Sequence, residues 1–312
     1  MSIKNVRKWC REFSNGRTNI HDEARSGRPS VSDNLQEQVE SELREDRRVT
    51  VRELEEKLQI PKSSIHRIIS DLGYRKCSAR WVPKMLTEDH KRQRIESSRE
   101  VLELYAEEGA VFLESIVTGD ETWVYHFTPE SKQQSMEWRH SFSPKKRKFK
   151  VTQSARKIMA TVFWDRKGVL LIEFMPTGTT INSASYCETL ENLRKAIKNR
   201  RPGMLTKGVR LLHDNARPHV ARNTKALLDK FGWDILPHPP YSPDLAPSDY
   251  HLFTNLKKHL GGKRLNSDEE VKTVVMEYLE KEVDGEFYDA GIQKLPDRLQ
   301  KCLDMNGDYV EK

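Results

Sequence analysis

Cysteine is scarce in this 312-residue chain. Its four cysteines, Cys10, Cys77, Cys187 and Cys302, lie far apart and never form a CxxC pair. That spacing argues against a disulfide framework or a thiolate zinc site, and it fits a reducing compartment. Long apolar runs are missing as well. No stretch approaches the roughly 20 apolar residues that a membrane helix needs. The basic N-terminus lacks the apolar segment of a secretory signal. No internal repeat is visible. The expectation is a soluble cytosolic or nuclear protein with no membrane partner.

What the chain does have is charge. Lys and Arg outnumber Asp and Glu by 54 to 47, a formal net charge of +7, and the isoelectric point is near 9.1. A basic balance favours polyanionic partners such as nucleic acid. The length suits two domains, or three small ones, at roughly 100–200 residues each.

Helical patterns fill the first third. Val6, Trp9, Cys10 and Phe13 fall at i, i+3, i+4 and i+7 on one helix face, with Gly16 as a stop. Residues 24–30, ARSGRPS, cannot be helical, and they carry Arg25 and Arg28. An extended basic arm of this kind suits the narrow minor groove of A·T-rich DNA. A flexible basic linker is the competing reading. Residues 33–73 read as three helices, the second opened by a capping box of Thr50 and Glu53. Val51, Leu54, Leu58, Ile60, Ile65, Ile68 and Ile69 would close a small core. A tight turn joins the second helix to the third, which carries Lys62, Ser63, Ser64, His66 and Arg67. This is a helix-turn-helix with a recognition face; a generic three-helix bundle is the alternative. A basic connector follows over 74–86, then a long helix over 87–109 with Thr87 as its N-cap.

From residue 111 the period changes. Residues 112–127 read as a strand, and 156–176 as a hairpin turning at Asp165-Arg166-Lys167-Gly168. A helix follows over 182–203, then strand, loop and helix over 208–232, a short strand over 233–240, and helices over 249–260 and 268–282. The tail to Lys312 reads as polar. Strands first, then alternating strand and helix, imply an α/β sheet domain with helices on both faces. Trp123, Trp164 and Trp233 are expected in its core.

Three acids stand where such a sheet would expose them. Asp120 lies on the first strand and Asp214 just after an apolar strand. Asp249 lies at the start of the helix that follows a proline-rich stretch, with Ser248 as its cap. Carboxylates supply the hard oxygen ligands that Mg²⁺ prefers. Two such ions about 3.5–4 Å apart stabilise the attacking and leaving oxygens of an in-line phosphoryl displacement. Glu121 follows Asp120, but on a strand it points to the opposite face and reads as structural. His213, Asn215 and His219 either shape the site or order its loop. Asp244, also in the proline-rich stretch, is expected to bond local backbone within a turn.

The motifs TGDETW (118–123), HDNARPH (213–219) and YSPDLAPSDYHLF (241–253), with RWVP (80–83), closely resemble those of the mariner family of DNA transposases. Thirty-four residues lie between Asp214 and Asp249, the spacing of the mariner Asp-Asp-34-Asp triad. The resemblance covers essentially the whole chain. It implies an α/β ribonuclease-H-like, retroviral-integrase-like catalytic domain preceded by an all-α helix-turn-helix DNA-binding region. It implies Asp120, Asp214 and Asp249 as catalytic metal ligands for two Mg²⁺ ions, with Mn²⁺ able to substitute. It implies binding of terminal inverted repeats, hydrolysis of the transposon ends, and joining of the 3′-hydroxyls to TA target DNA by a homodimer acting in the nucleus. A DNA-binding protein derived from such an enzyme, with transposition impaired or lost, is the alternative. Lys145, Lys146, Arg147 and Lys148 occupy a segment that in the family reaches across the dimer; DNA contact, nuclear localisation and a solvated loop compete as readings.

Two features depart from the pattern. The connector reads Trp81-Val82-Pro83-Lys84-Met85-Leu86, where the family usually has His and Glu in place of Lys84 and Met85. The first helix resembles the third helix of the family's first helix-turn-helix, so truncation and weak repeat binding are expected. The domains expected are then a helix-turn-helix remnant (1–23), a minor-groove linker (24–32), a second helix-turn-helix (33–73), a connector with the long helix (74–110) and the catalytic domain (111–312).

Overall fold

The computed structural model describes residues 2–18, 33–78, 81–140, 142–144, 147, 149, 151–176 and 178–310. The chain forms two compact units, Met1–Arg80 and Trp81–Lys312.

The first unit is helical. Helix α1 (Ile3–Ser14) is capped by Ser2, and its apolar face stays open, with Ile3, Val6 and Phe13 exposed. Helices α2 (Asp33–Glu45), α3 (Val51–Leu58) and α4 (Lys62–Asp71) enclose Val39, Val49, Leu54, Ile60, Ile65 and Ile68. Both halves of the expected capping box form at Thr50 and Glu53. The chain turns sharply between α3 and α4 because Gln59 adopts a left-handed conformation, φ 55°. Buried Ile60 then anchors the turn. This is the expected helix-turn-helix.

The second unit begins with α5 (Glu88–Glu108), capped by Thr87 as expected. A short helix α6 (Ala110–Ser115) follows. It replaces the first part of the strand expected over 112–127, and β1 spans Ile116–Tyr125. Gly109 separates the two helices at φ 59°, and Phe112 and Leu113 are buried. Apolar residues in a short run do not distinguish a buried helical turn from a strand. The hairpin forms as expected, from β2 (Lys157–Asp165) and β3 (Gly168–Phe174). Then come α7 (Ser183–Arg200), α8 (Met204–Lys207), β4 (Arg210–Leu212), α9 (Arg222–Phe231) and β5 (Asp234–Ile235). A π-helical turn, Ser248–Phe253, leads into α10 (Thr254–Leu260), which is followed by α11 (Asp268–Glu277).

The tail is not the polar extension that was expected. Gly285–Asp304 forms a 20-residue helix, α12, that buries Tyr288, Ile292, Leu295, Leu299 and Cys302. Those residues recur every three to four positions, the apolar stripe of a core helix. Polar residues between them dilute the stripe in the linear sequence.

Among the described residues the strands form one five-stranded sheet, in the order β3-β2-β1-β4-β5. The pairs β1–β2 and β2–β3 are antiparallel, whereas β1–β4 and β4–β5 are parallel. Each face covers its own core. Ile116, Val124, Val162 and Trp164 pack with α10, α11 and α12. Val117, Phe163 and Leu211 pack with α7 and α9. Gly119 belongs to the second face by alternation, and a Cβ there would sit 2.2 Å from the Phe163 ring. The missing side chain lets that ring lie on the strand beside Asp120.

A buried ion pair locks the ends of this unit together. Arg94 on α5 is fully buried. Its guanidinium donates to both carboxylate oxygens of Asp244, at 2.9 and 2.8 Å, and to the Ser242 hydroxyl at 2.6 Å. It also donates to the carbonyls of Gly307 and Asp308 at 2.8 and 3.1 Å. All five guanidinium donors are thereby used. Asp244 accepts the Val310 N–H in addition, at 2.9 Å. The expectation that Asp244 bonds local turn backbone is therefore corrected. Its partners are an arginine 150 positions earlier and a backbone amide 66 later. Gly307 is also forced: its φ is +79° and a Cβ would meet the Lys91 carbonyl oxygen at 2.4 Å.

Removing one partner of a buried pair strands the other charge and costs about 3–5 kcal/mol. Asp244→Ala is expected to destabilise the protein by that amount in urea unfolding. The double variant Arg94→Met/Asp244→Leu should recover part of the loss, since an apolar pair leaves no buried charge.

Candidate active site

Asp120 lies inside β1, on the face that packs against the π-helical turn. The register of β1 and β4 pairs Thr118 with Leu212. Asp120 and Asp214 therefore each follow the last paired residue by two positions, Asp120 still within β1 and Asp214 in the loop that leaves β4. Asp249 stands in the first turn of the π-helical segment. A π-turn widens the helix and is frequent at functional positions.

Both neighbours of Asp249 are fixed. Ser248 does not cap a helix, as was expected. Its hydroxyl accepts the Trp164 indole N–H at 3.1 Å, and Pro247 precedes the segment without a side-chain cap. Tyr250 donates its hydroxyl to the Gly291 carbonyl at 2.8 Å on α12. His251 lies against Trp164 and Phe287. Trp164 and Trp233 are buried as expected, whereas Trp123 is 38 % exposed, and Lys157 sits 4.0 Å from its ring centroid.

The three carboxylates feel one another. Burial holds the Asp120 carboxyl well above the usual range, and the charges of Asp249, Glu121 and Asp214 push it the same way. Asp214 behaves oppositely. Burial acts to raise it, but the hydrogen bonds from His219 and from the Ala216 N–H prevail and hold it below the usual value. His219 is buried. Its Nδ1 lies 2.6 Å from Asp214 Oδ1, and its Nε2 is 3.4 Å from Glu121 Oε1. Burial opposes its protonation, yet these two carboxylates raise it to about 9, so an imidazolium bridges them. The long 3.4 Å contact is an ion pair rather than a hydrogen bond, since Glu121 Oε1 is buried without a hydrogen-bond partner.

Glu121 points away from Asp120, as strand alternation requires, but it is tied to Asp214 through His219. His213 shares a 2.7 Å hydrogen bond with the Tyr186 hydroxyl, and burial drives it down to about 3. Its ring stacks on His219 with centroids 5.2 Å apart. Asn215 donates to the His238 carbonyl. These residues order the loop that carries Asp214.

A divalent cation fits the donor set. The set is all carboxylate oxygen, and the mutual repulsion at Asp120 is a charge excess that such an ion cancels. Among the described residues no three His, Cys, Asp or Glu side chains already converge on one point. Closure requires the carboxylates to turn inward, and the Asp214 side chain, 45 % exposed, has room to do so.

The DNA-contact residues divide. In the first unit Ser63, His66 and Arg67 are exposed on α4 and Ser64 is half-buried, while Lys62 pairs with Glu55 at 3.1 Å. Arg147 is exposed. Arg25, Arg28, Lys145, Lys146 and Lys148 lie outside the described residues.

A family model described as transposase (partial DDE domain) matches residues 128–207. The mariner Mos1 transposase of Drosophila mauritiana is 33% identical over 312 residues, covering 99% of this chain and 88% of that protein. The chain belongs to the mariner family of DNA transposases. The human histone-lysine N-methyltransferase SETMAR is 36% identical over 309 residues, covering 99% of this mariner chain and 44% of that protein. Solved complexes of Mos1 share the fold at 33% identity, covering 100% of this chain and 89% of theirs. The paired-end complexes with Mg and with Mn have TM-scores of 0.81, and the strand transfer complex 0.77. The mariner fold of the sheet unit is ribonuclease-H-like, as the sequence motifs implied.

Partners that orient a metal-ligating side chain typically matter 10–100-fold for metal affinity. His219→Ala is expected to weaken Mn²⁺ binding by about that factor, read by calorimetric titration of the DNA-free protein. His219→Asn, which can still donate to Asp214, should lose less.

Proposed function

We propose that this chain is a cut-and-paste DNA transposase. It binds terminal inverted repeats, cleaves transposon ends by metal-dependent phosphodiester hydrolysis, and joins the 3′-hydroxyl ends to TA target DNA. The observation that carries the reading is the electrostatic coupling of Asp120 to both Asp249 and Asp214, three acids that also carry the mariner spacing.

The carboxylates of Asp120, Asp214 and Asp249 would hold two Mg²⁺ ions, with Mn²⁺ able to substitute. When bound, such ions supply the Lewis acidity that generates a nucleophilic hydroxide and stabilises the leaving oxygen. The protein's own residues prepare this arrangement. His219 keeps Asp214 ionised and ties it to β1 through Glu121. Trp164 and Gly291 fix the turn that presents Asp249. Asp120 becomes a full carboxylate once the neighbouring charge is offset. Water, and then the freed 3′-hydroxyl, act as successive nucleophiles, and no side chain needs to form a covalent bond to DNA.

The helix-turn-helix unit supplies selectivity, with Ser63, His66 and Arg67 exposed on the helix that would enter the major groove. The active species is a homodimer that pairs two transposon ends and works in the nucleus. The solved paired-end and strand transfer complexes of Mos1 support the DNA partner and the dimer. The alternative is a transposase-derived sequence-specific DNA-binding protein with transposition impaired or lost. In the altered connector Lys84 sits 3.9 Å from the Tyr241 ring centroid and its carbonyl accepts the Tyr309 hydroxyl, contacts that leave the three acids in place. The complete set of three acids favours the enzyme.

Metal-dependent nicking of a duplex carrying the matched repeat is expected, and Asp249→Ala should reduce it to the uncatalysed background. Persistent nicking in that variant would exclude Asp249 from the site. Arg67→Ala should cost about 1–3 kcal/mol of discrimination between matched and scrambled repeats if it reads a base, measured at one fixed salt concentration.

A further inference from the structure

A cavity of about 670 Å³ opens between the C-terminal halves of α7 and α9. Its lining includes Arg194, Lys195 and Lys198 from α7 and Lys230 from α9, against one carboxylate, Glu191. All four cations are exposed. Among the described residues none of the four pairs with a carboxylate. Lys195 reaches only the Asn192 side chain, at 3.5 Å, and Arg194 lies over Phe231 with 5.0 Å to the ring centroid. Arg201, also in the lining, is neutralised by Asp165 at 2.7 Å.

This grouping differs from the rest of the surface, where basic residues commonly meet acids three or four positions away. On α7 Glu191 stands three and four positions before Arg194 and Lys195 but pairs with neither among the described residues. Arg194 and Lys198 are one turn apart with Lys195 beside them, so like charges repel along one helix face. A folded surface gains nothing from that unless a polyanion supplies the countercharge.

The position excludes a role in the chemistry. Tyr186, near the start of α7, contacts His213 beside Asp214. Lys198 is twelve residues further along the helix, about 18 Å at 1.5 Å per residue. Arg200, at the same end, bonds the Val169 carbonyl next to the β2–β3 turn, at the end of the sheet where β1 begins.

We infer that this cavity is a second DNA-binding surface, one that grips the phosphate backbone of duplex DNA without reading its sequence. The cations run about 6 Å along the helix from Arg194 to Lys198, and Lys230 extends the row across to α9. Neighbouring phosphates of one strand rise 3.4 Å along the axis, so the row can follow two or three of them. Phe231 gives the cavity an apolar wall, and the Arg194 guanidinium lies over its ring. The inference rests on the reading of this protein as a DNA enzyme, but it concerns a surface remote from the carboxylates.

The test uses the full chain and a 30-base-pair duplex of random sequence, with anisotropy recorded across a series of NaCl concentrations. Each phosphate contact contributes about 0.9 to the slope of log K against log salt. The triple variant Lys195→Ala/Lys198→Ala/Lys230→Ala is expected to reduce that slope by about 2 to 3, and the corresponding triple Lys→Arg variant should restore it. An unchanged slope in the alanine variant overturns the proposal. A reduced slope that arginine does not restore also overturns it, because the effect would then not be one of charge. Nicking of repeat DNA by the wild-type chain is read in parallel. Nicking with an unchanged slope removes this surface alone, whereas a changed slope without nicking removes the enzyme reading and leaves the surface standing.

Discussion

The sheet unit depends on one guanidinium. Arg94 is fully buried, and a buried charge is tolerated only when its partners replace the water it lost. Its five donors reach the proline-rich stretch at Ser242 and Asp244 and the chain end at Gly307 and Asp308. Helix α5, the approach to Asp249 and the segment after α12 thus share one electrostatic anchor. The geometry leaves little slack. Gly307 cannot be larger, and Asp244 spends its remaining capacity on Val310. What reads in sequence as a connector helix is a structural member of the sheet unit.

The carboxylates show how one strand can serve two ends. Asp120 and Glu121 are consecutive, so β-alternation sends them to opposite faces. Asp120 meets the charge of Asp249 on one side. Glu121 meets His219 on the other, and through it Asp214. The imidazolium therefore does more than order a loop. It ties the loop that carries Asp214 to β1, the strand that carries Asp120. Neighbouring acids therefore behave differently: burial raises Asp120 and the acids around it add to that, whereas at Asp214 the cation and the Ala216 N–H overcome burial.

Legibility in the sequence followed the range of the interactions. Thr50 with Glu53, Thr87, the turn at Gln59 and the Asp165–Gly168 hairpin are local, and each formed as its residues indicate. The helix-turn-helix core was equally readable, because its apolar residues repeat within short helices. The three acids stood out through their motifs. Long-range choices were hidden. Nothing distinguishes Arg94 from the other basic residues of its helix, and no local pattern assigns Asp244 to it rather than to its own turn. Ser248 resembles a cap by position, but a tryptophan 84 residues earlier claims its hydroxyl. Helix α12 was missed because Gln293, Lys294 and Asp297 interrupt its apolar stripe in linear order while leaving it intact in three dimensions.

The anchor at Asp244 also divides the thirty-four-residue interval into two lengths of different kind. Between Asp214 and the anchor the chain passes through α9, a glycine turn at Gly232 and the edge strand β5. A turn of that sort can gain or lose a residue with little effect on the aim of Asp249. From Asp244 to Asp249 there is no such freedom. The five steps run from a locked carboxylate into a π-helical start, and one residue more or fewer would rotate Asp249 away from its aim. The interval by which the family is known is thus a tolerant stretch joined to a strict one. Its strict part is set by an arginine that never meets the substrate.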